Sequence, residues 1–105
     1  MGTRQTRIFV RSDEPDDWAE TLVGRVLRPL TAEFSDSLNW FWFSRYGQPA
    51  DESGDCDIVQ ISAEYKVGGM HRSLRFRYDV ADDQQTAFET RALELINGNA
   101  YRVSD

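Results

Sequence analysis

The chain has 105 residues, 40% of them apolar and 12% aromatic, a balance that fits one globular domain over 1–105 rather than a disordered chain. Eighteen acidic residues against twelve basic ones leave a net charge of −6, which argues against direct non-specific nucleic-acid binding without excluding a local basic patch. Cys56 and His71 are the only residues of their kinds, so no internal disulfide, cysteine metal cluster or His-centred triad is expected, and no metal or cofactor is implied.

The start, "MGTRQTRIFV", lacks the long apolar region and small-residue cleavage site of a signal peptide. It matches the short myristoylation pattern M-G-x-x-x-[ST], but "TRIFV" reads as a strand that begins almost at once. No run of eighteen apolar residues predicts a membrane span. With no disulfide available, the expected location is the cytoplasm.

"TRIFVRS", 6–12, is a predicted strand with Ile8 and Val10 on one face and Arg7, Phe9 and Arg11 on the other. "SDEPDDWAE" starts a helix: Ser12 or Asp13 can cap it, Pro15 suits its first turn, and Asp16, Asp17 and Glu20 lie near its positive end. Trp18, Leu22, Val23, Val26, Leu27, Leu30 and Phe34 then form one apolar stripe. Pro29 lies inside that stripe and should remove a backbone hydrogen bond and bend the helix.

A strand over 38–46, "LNWFWFSRY", is apolar at both parities. Either Trp40, Trp42 and Tyr46 point inward or Phe41 and Phe43 do; the expectation is the Trp/Tyr set in the core. The polar stretch "GQPADESGDCD" reads as a loop, with Cys56 an inert thiol. The strands 58–67 and 70–80 flank Gly68-Gly69, a pair suited to a two-residue hairpin. If Val67 faces Met70, then Ala63 faces Leu74, Ile61 faces Phe76 and Val59 faces Tyr78, an apolar face. The other face pairs Lys66 with His71, Glu64 with Ser73, Ser62 with Arg75 and Gln60 with Arg77. A slip of one residue would destroy both matches. A second helix over 81–98 is capped by Asp82 or Asp83 and ended by Gly98, with Phe88, Ala92, Leu95 and Ile96 inside; "AYRV" forms a short closing strand.

The order β-α-β-β-β-α-β predicts an α+β, ferredoxin-like fold: a mainly antiparallel sheet of four or five strands with two helices on one face. The open face then collects Arg7, Arg11, Arg45, Arg75 and Arg77, with Phe9, Phe41 and Phe43 among them and His71 beside them. Arginine suits forked recognition of carboxylate or phosphate. The same residues also allow a plainer account, in which the arginines pair with Glu64 and acidic loop residues or lie over an exposed sheet. Three phenylalanines left in water would mark a protein interface. His71 is a candidate acid or base.

The segments "RVLRPLTAEF", "LNWFWFSRYG" and "SLRFRYD" resemble the opening of the small C-terminal domain of lantibiotic dehydratases, which also occurs alone as the thiopeptide-type bacteriocin biosynthesis protein. The family pattern has a helix with an internal Pro, a strand like "WFFIRY", a loop and a strand like "HLRLRF". The likeness covers roughly residues 22–79 of this chain. It implies that Arg45, Arg75 and Arg77 correspond to the family's arginines. Ser73 stands where the family has its histidine, and His71 lies two residues earlier.

What the resemblance implies is a shortened relative that binds a glutamylated peptide or another anionic ligand in ribosomal peptide natural-product biosynthesis; if it is an enzyme, it is a lyase-like eliminase or a subunit of one. The second reading is a non-catalytic accessory or homodimeric module associating through Phe9, Phe41 and Phe43. The third is an acidic inhibitor that mimics nucleic-acid charge with "SDEPDDWAE" and "DESGDCD". The partner expected is thus a peptide or a protein, in a homodimer or heteromer.

Overall fold

The computed structural model describes residues 5–13, 18–44, 58–99 and 101–104. The first strand, β1 (Gln5–Arg11), leads to a helix, α1, built of three segments: Trp18–Leu22, a π-helical turn Val23–Leu27, and Arg28–Glu33. Strands β2 (Leu38–Ser44), β3 (Ile58–Val67) and β4 (Met70–Val80) follow, then helix α2 (Gln85–Gly98) and strand β5 (Arg102–Ser104). The five strands form one sheet in the order β2-β4-β3-β1-β5, with β1 and β3 parallel and every other pair antiparallel. This is the expected α+β architecture. Relative to a four-stranded ferredoxin-like order, β3 is an added strand between β1 and β4.

The hairpin has the expected register at every pair from Val67–Met70 to Val59–Tyr78. Gly68 and Gly69 take φ of 57° and 79°, left-handed values that a two-residue turn demands of both positions. One sheet face then presents Ile8, Val10, Val59, Ile61, Ala63, Tyr65, Leu74, Phe76, Tyr78 and Val80 to both helices. They meet Trp18, Leu22, Val26, Leu27 and Leu30 of α1 and Phe88, Ala92 and Ile96 of α2 in one core.

Pro29 does not break α1. The turn before it widens: the Arg28 N–H bonds to the Val23 carbonyl, five residues back. A wider turn makes room for the proline ring, which would otherwise press on the carbonyl four residues earlier. Two caps differ from expectation. Helix α2 is entered through a 3-10 turn, Asp82–Gln84, and its N-cap Gln84 makes no side-chain cap bond. Its end is closed by Asn99, whose Nδ2 donates to the Leu95 carbonyl at 2.7 Å, rather than by a left-handed Gly98. Asp13 pairs with Arg102 of β5 at 2.6 Å.

The largest correction concerns β2. Leu38 pairs with Val80, but Trp40 pairs with Asp79, so a β-bulge lies between Leu38 and Trp40. The extra residue flips the face of everything after it. Phe41 and Phe43 therefore oppose Tyr78 and Phe76, on the helix side. Their rings lie 6.3 Å and 4.5 Å from those partners. Phe41 and Phe43 are not on the open face with the arginines. Trp42 and Ser44 occupy the register positions opposite Arg77 and Arg75; the Trp40 and Trp42 side chains are outside the described set, as are Arg45, Tyr46, Cys56, the loop 47–57 and the helix-start residues 14–17.

Tyr78 gives the core a pH dependence. Burial pushes its phenol up to about 12, and a 3.2 Å hydrogen bond with Thr31 Oγ1 offsets part of that rise. An unfolded tyrosine ionises near pH ~10. The stability this difference supplies is whole below that point and is lost as pH rises from there through the folded value, roughly 2–3 kcal/mol in total. Denaturant midpoints measured at steps above neutral should fall in that window, and Tyr78→Phe should remove most of the fall. An equally steep fall in Tyr78→Phe would refute the assignment.

Candidate functional site

Side-chain alternation on the open face is read across three strands. One row is Arg77 of β4, Gln60 of β3 and Arg7 of β1; the next is Arg75, Ser62 and Phe9. Gln60, Ser62 and Arg77 are only 8%, 6% and 6% exposed, although both helices pack on the opposite face. Arg75 is half-buried, and Arg7 and Phe9 are exposed.

A buried guanidinium requires an acceptor. Arg77 Nε donates to Gln60 Oε1 at 2.9 Å, so an amide takes that N–H of the guanidinium. Burial lowers the pKa of Arg77, and the charge of Arg7 lowers it further. Arg7 and Arg77 thus stand near enough to repel, with neutral Gln60 and Ser62 between the arginines. Among the described residues, Arg7, Arg11 and Arg75 make no ion pair with an acid. The ion pairs there are Arg91 with Glu33 and Glu94, and Arg102 with Asp13. Glu64, which the plainer account pairs with these arginines, makes no ion pair with them among the described residues, and the acidic loop it also invokes lies outside those residues.

His71 does not join this cluster. It pairs with Lys66 at the hairpin end, four residues along β4 from Arg75, roughly 13 Å away. There it lines a cavity of about 460 Å³ with Phe9, Arg11, Ser62, Glu64 and Lys66. The open face therefore holds two groupings: Arg7, Arg75 and Arg77 in the middle, and Arg11, Lys66 and His71 around Glu64 at the hairpin end. Arg45 lies outside the described residues. Among the described residues, no group of three or more His, Cys, Asp and Glu side chains is placed to hold a metal ion.

Phe9, Phe41 and Phe43 do not share a face. Phe9 opposes Ser62 on the open side, whereas Phe41 and Phe43 continue the aromatic run through Phe76, Tyr78 and Phe88 on the helix side. Two sheets packing through all three is a geometry this fold does not offer. Gln60 is the site residue that sequence reasoning undervalued. The hairpin register already set it opposite Arg77, and a buried arginine facing an amide is a signal available from pairing alone.

No helix among the described residues is long and apolar enough to cross a membrane. Comparison of the chain with protein-family models, with curated proteins and with solved structures returns no match.

Two substitutions probe the arginine row. Gln60→Leu deprives the buried Arg77 Nε of its acceptor and should cost about 1–3 kcal/mol. Arg7→Gln should instead raise the melting temperature at low ionic strength, with a gain that shrinks as salt screens the repulsion. A destabilising Arg7→Gln at low salt would mean that Arg7 is held by an attraction that outweighs its repulsion with Arg77.

Proposed function

We propose that the chain is a binding module that takes an anionic ligand, foremost a peptide with carboxylate side chains, on its open sheet face. The observation that carries this reading is the arginine row. Burial and the charge of Arg7 across Gln60 both lower the pKa of Arg77, and Arg7 and Arg75 have no acidic partner among the described residues. An external carboxylate would relieve that repulsion through forked hydrogen bonds. The resemblance in "LNWFWFSRYG" and "SLRFRYD" names the candidate ligand, a glutamylated precursor peptide handled in the cytoplasm during ribosomal peptide natural-product biosynthesis.

Binding rather than elimination is the activity proposed. A general acid or base works within hydrogen-bond reach of the proton it moves, about 3 Å. His71 stands well beyond that from the arginine row. The test is a thermal-shift titration with a glutamyl peptide and its glutamine counterpart, on wild type and on Arg7→Ala/Arg75→Ala. The glutamyl peptide alone should stabilise wild type, by mass action, and the variant should not respond. Equal shifts in both proteins, or none in wild type, would overturn the proposal.

The β2 edge favours a second reading, association with another chain. Leu38–Ser44 ends the sheet with seven residues that include no charge and no proline, the usual protections of an edge strand. Phe41 and Phe43 remain 53% and 41% exposed beside it. The opposite edge, β5, is three residues long and carries Arg102. Light scattering should give twice 12.1 kDa for wild type and 12.1 kDa for Phe41→Ser/Phe43→Ser. A wild-type mass of 12.1 kDa at high concentration would count against self-association.

A further inference from the structure

The hairpin-end cavity adjoins the arginine row, sharing Phe9 and Ser62 with the row of Arg75, but its charged lining is its own: Arg11, Glu64 and Lys66. Its volume of about 460 Å³ lies within the ~300–1,000 Å³ typical of small-molecule sites. Glu64 lines this cavity and both depressions that adjoin it, one with His71, Arg72 and Ser73, the other with Arg11, Asp13, Trp18 and Arg102. It is therefore the central charge of this end of the sheet. It is exposed and makes no ion pair among the described residues, although Arg11 and Lys66 line the same cavity.

Ser62 supplies a second and independent observation. It is 6% exposed, it lines the cavity, and its buried hydroxyl has no hydrogen-bond partner among the described residues. Buried hydroxyls are seldom left so. Beside it Phe9 presents a half-exposed aromatic ring.

We infer that this cavity is a binding site for a small zwitterion, a free α-amino acid with an aromatic side chain. Arg11 and Lys66 take its carboxylate, Glu64 takes its ammonium group, its ring lies on Phe9, and a polar atom of the ligand at the cavity floor partners the Ser62 hydroxyl. Each charge on the ligand meets its opposite. A bare anion would meet Glu64, and a bare cation would meet Arg11 and Lys66, so both are disfavoured by the same side chains that hold the zwitterion. His71 stands at the rim as a further hydrogen-bonding group. The site does not depend on the peptide-binding reading, because it uses neither Arg75 nor Arg77.

The test is a titration followed by amide chemical shifts and by calorimetry on the full chain. The probes are L-phenylalanine, N-acetyl-L-phenylalanine, L-phenylalaninamide and inorganic phosphate. L-Phenylalanine should saturate the protein, moving the amides of Phe9, Ser62, Glu64 and His71, and should bind at least tenfold tighter than the other three. Glu64→Gln should erase the preference over the acetylated form. Arg11→Gln should erase the preference over the amide. Arg7→Ala should leave all of these affinities unchanged while weakening the glutamyl peptide, so failure of either site is read apart from failure of the other. Non-saturable shifts at millimolar L-phenylalanine, phosphate binding as tightly as the amino acid, or preferences that survive both variants would overturn the inference.

Discussion

The register of the β3–β4 hairpin is the constraint on which the rest of the molecule depends. Gly68 and Gly69, both at positive φ, close a turn with no slack, and ten successive pairs follow from it. A strand has a side-chain period of two, so a slip of one residue exchanges its faces. Here the slip would carry Ile61 and Phe76 into water and Arg77 and Gln60 under the helices. The hydrophobic cost on one face and the desolvation cost on the other forbid it together. With that pair set, β1 docks parallel on β3 and β2 antiparallel on β4, and each brings its own alternation to the same two faces.

Strand β2 obeys this constraint only after a bulge. Leu38 pairs into the core with Val80, and straightforward alternation would send Trp40 and Trp42 after it. The inserted residue sends Phe41 and Phe43 instead. They extend the aromatic contacts of Phe76 and Tyr78 toward the sheet margin, beyond the reach of α1 and α2, which explains how they face the helix side and stay exposed. The same shift places the register positions of Trp42 and Ser44 against the arginines. One inserted residue thus decides which chemistry each sheet face carries along a whole edge.

The sequence made some of this legible and hid the rest for identifiable reasons. The hairpin was readable because both of its faces agree on one register, apolar against apolar and polar against polar. The helix stripes were readable because Leu22, Val26, Leu27 and Leu30, and Phe88, Ala92 and Ile96, keep the helical period. The bulge was hidden because "NWFWF" is apolar at both parities, so alternation cannot report its own phase there. Pro29 was visible, but its effect was a π turn because the surrounding core contacts hold the helix together through it. The arginines of the candidate site followed from parity. Their separation from His71 was a matter of distance along β4: sharing a face says nothing of being neighbours, and four residues of strand are roughly 13 Å.

That separation also governs how the two groupings on the open face act electrically. The face carries Arg7, Arg11, Lys66, Arg75 and Arg77 against Glu64 and Asp79, in a chain whose net charge is −6. The rest of the chain consequently carries more net negative charge than the total suggests, so on balance an approaching anion is favoured at this face. At physiological ionic strength charges are screened over about 8 Å. The distance from Arg75 to His71 exceeds that length, so the arginine row and the hairpin-end cavity share the attraction that gathers ligand at long range in dilute salt. At close range they are linked through Arg75, which opposes Ser62 and stands diagonal to Glu64, about 7–8 Å away. An anion seated on Arg75 therefore changes the charge balance felt at Glu64, whereas Arg7, four residues along β1 from Arg11 and roughly 13 Å away, acts on the arginine row alone.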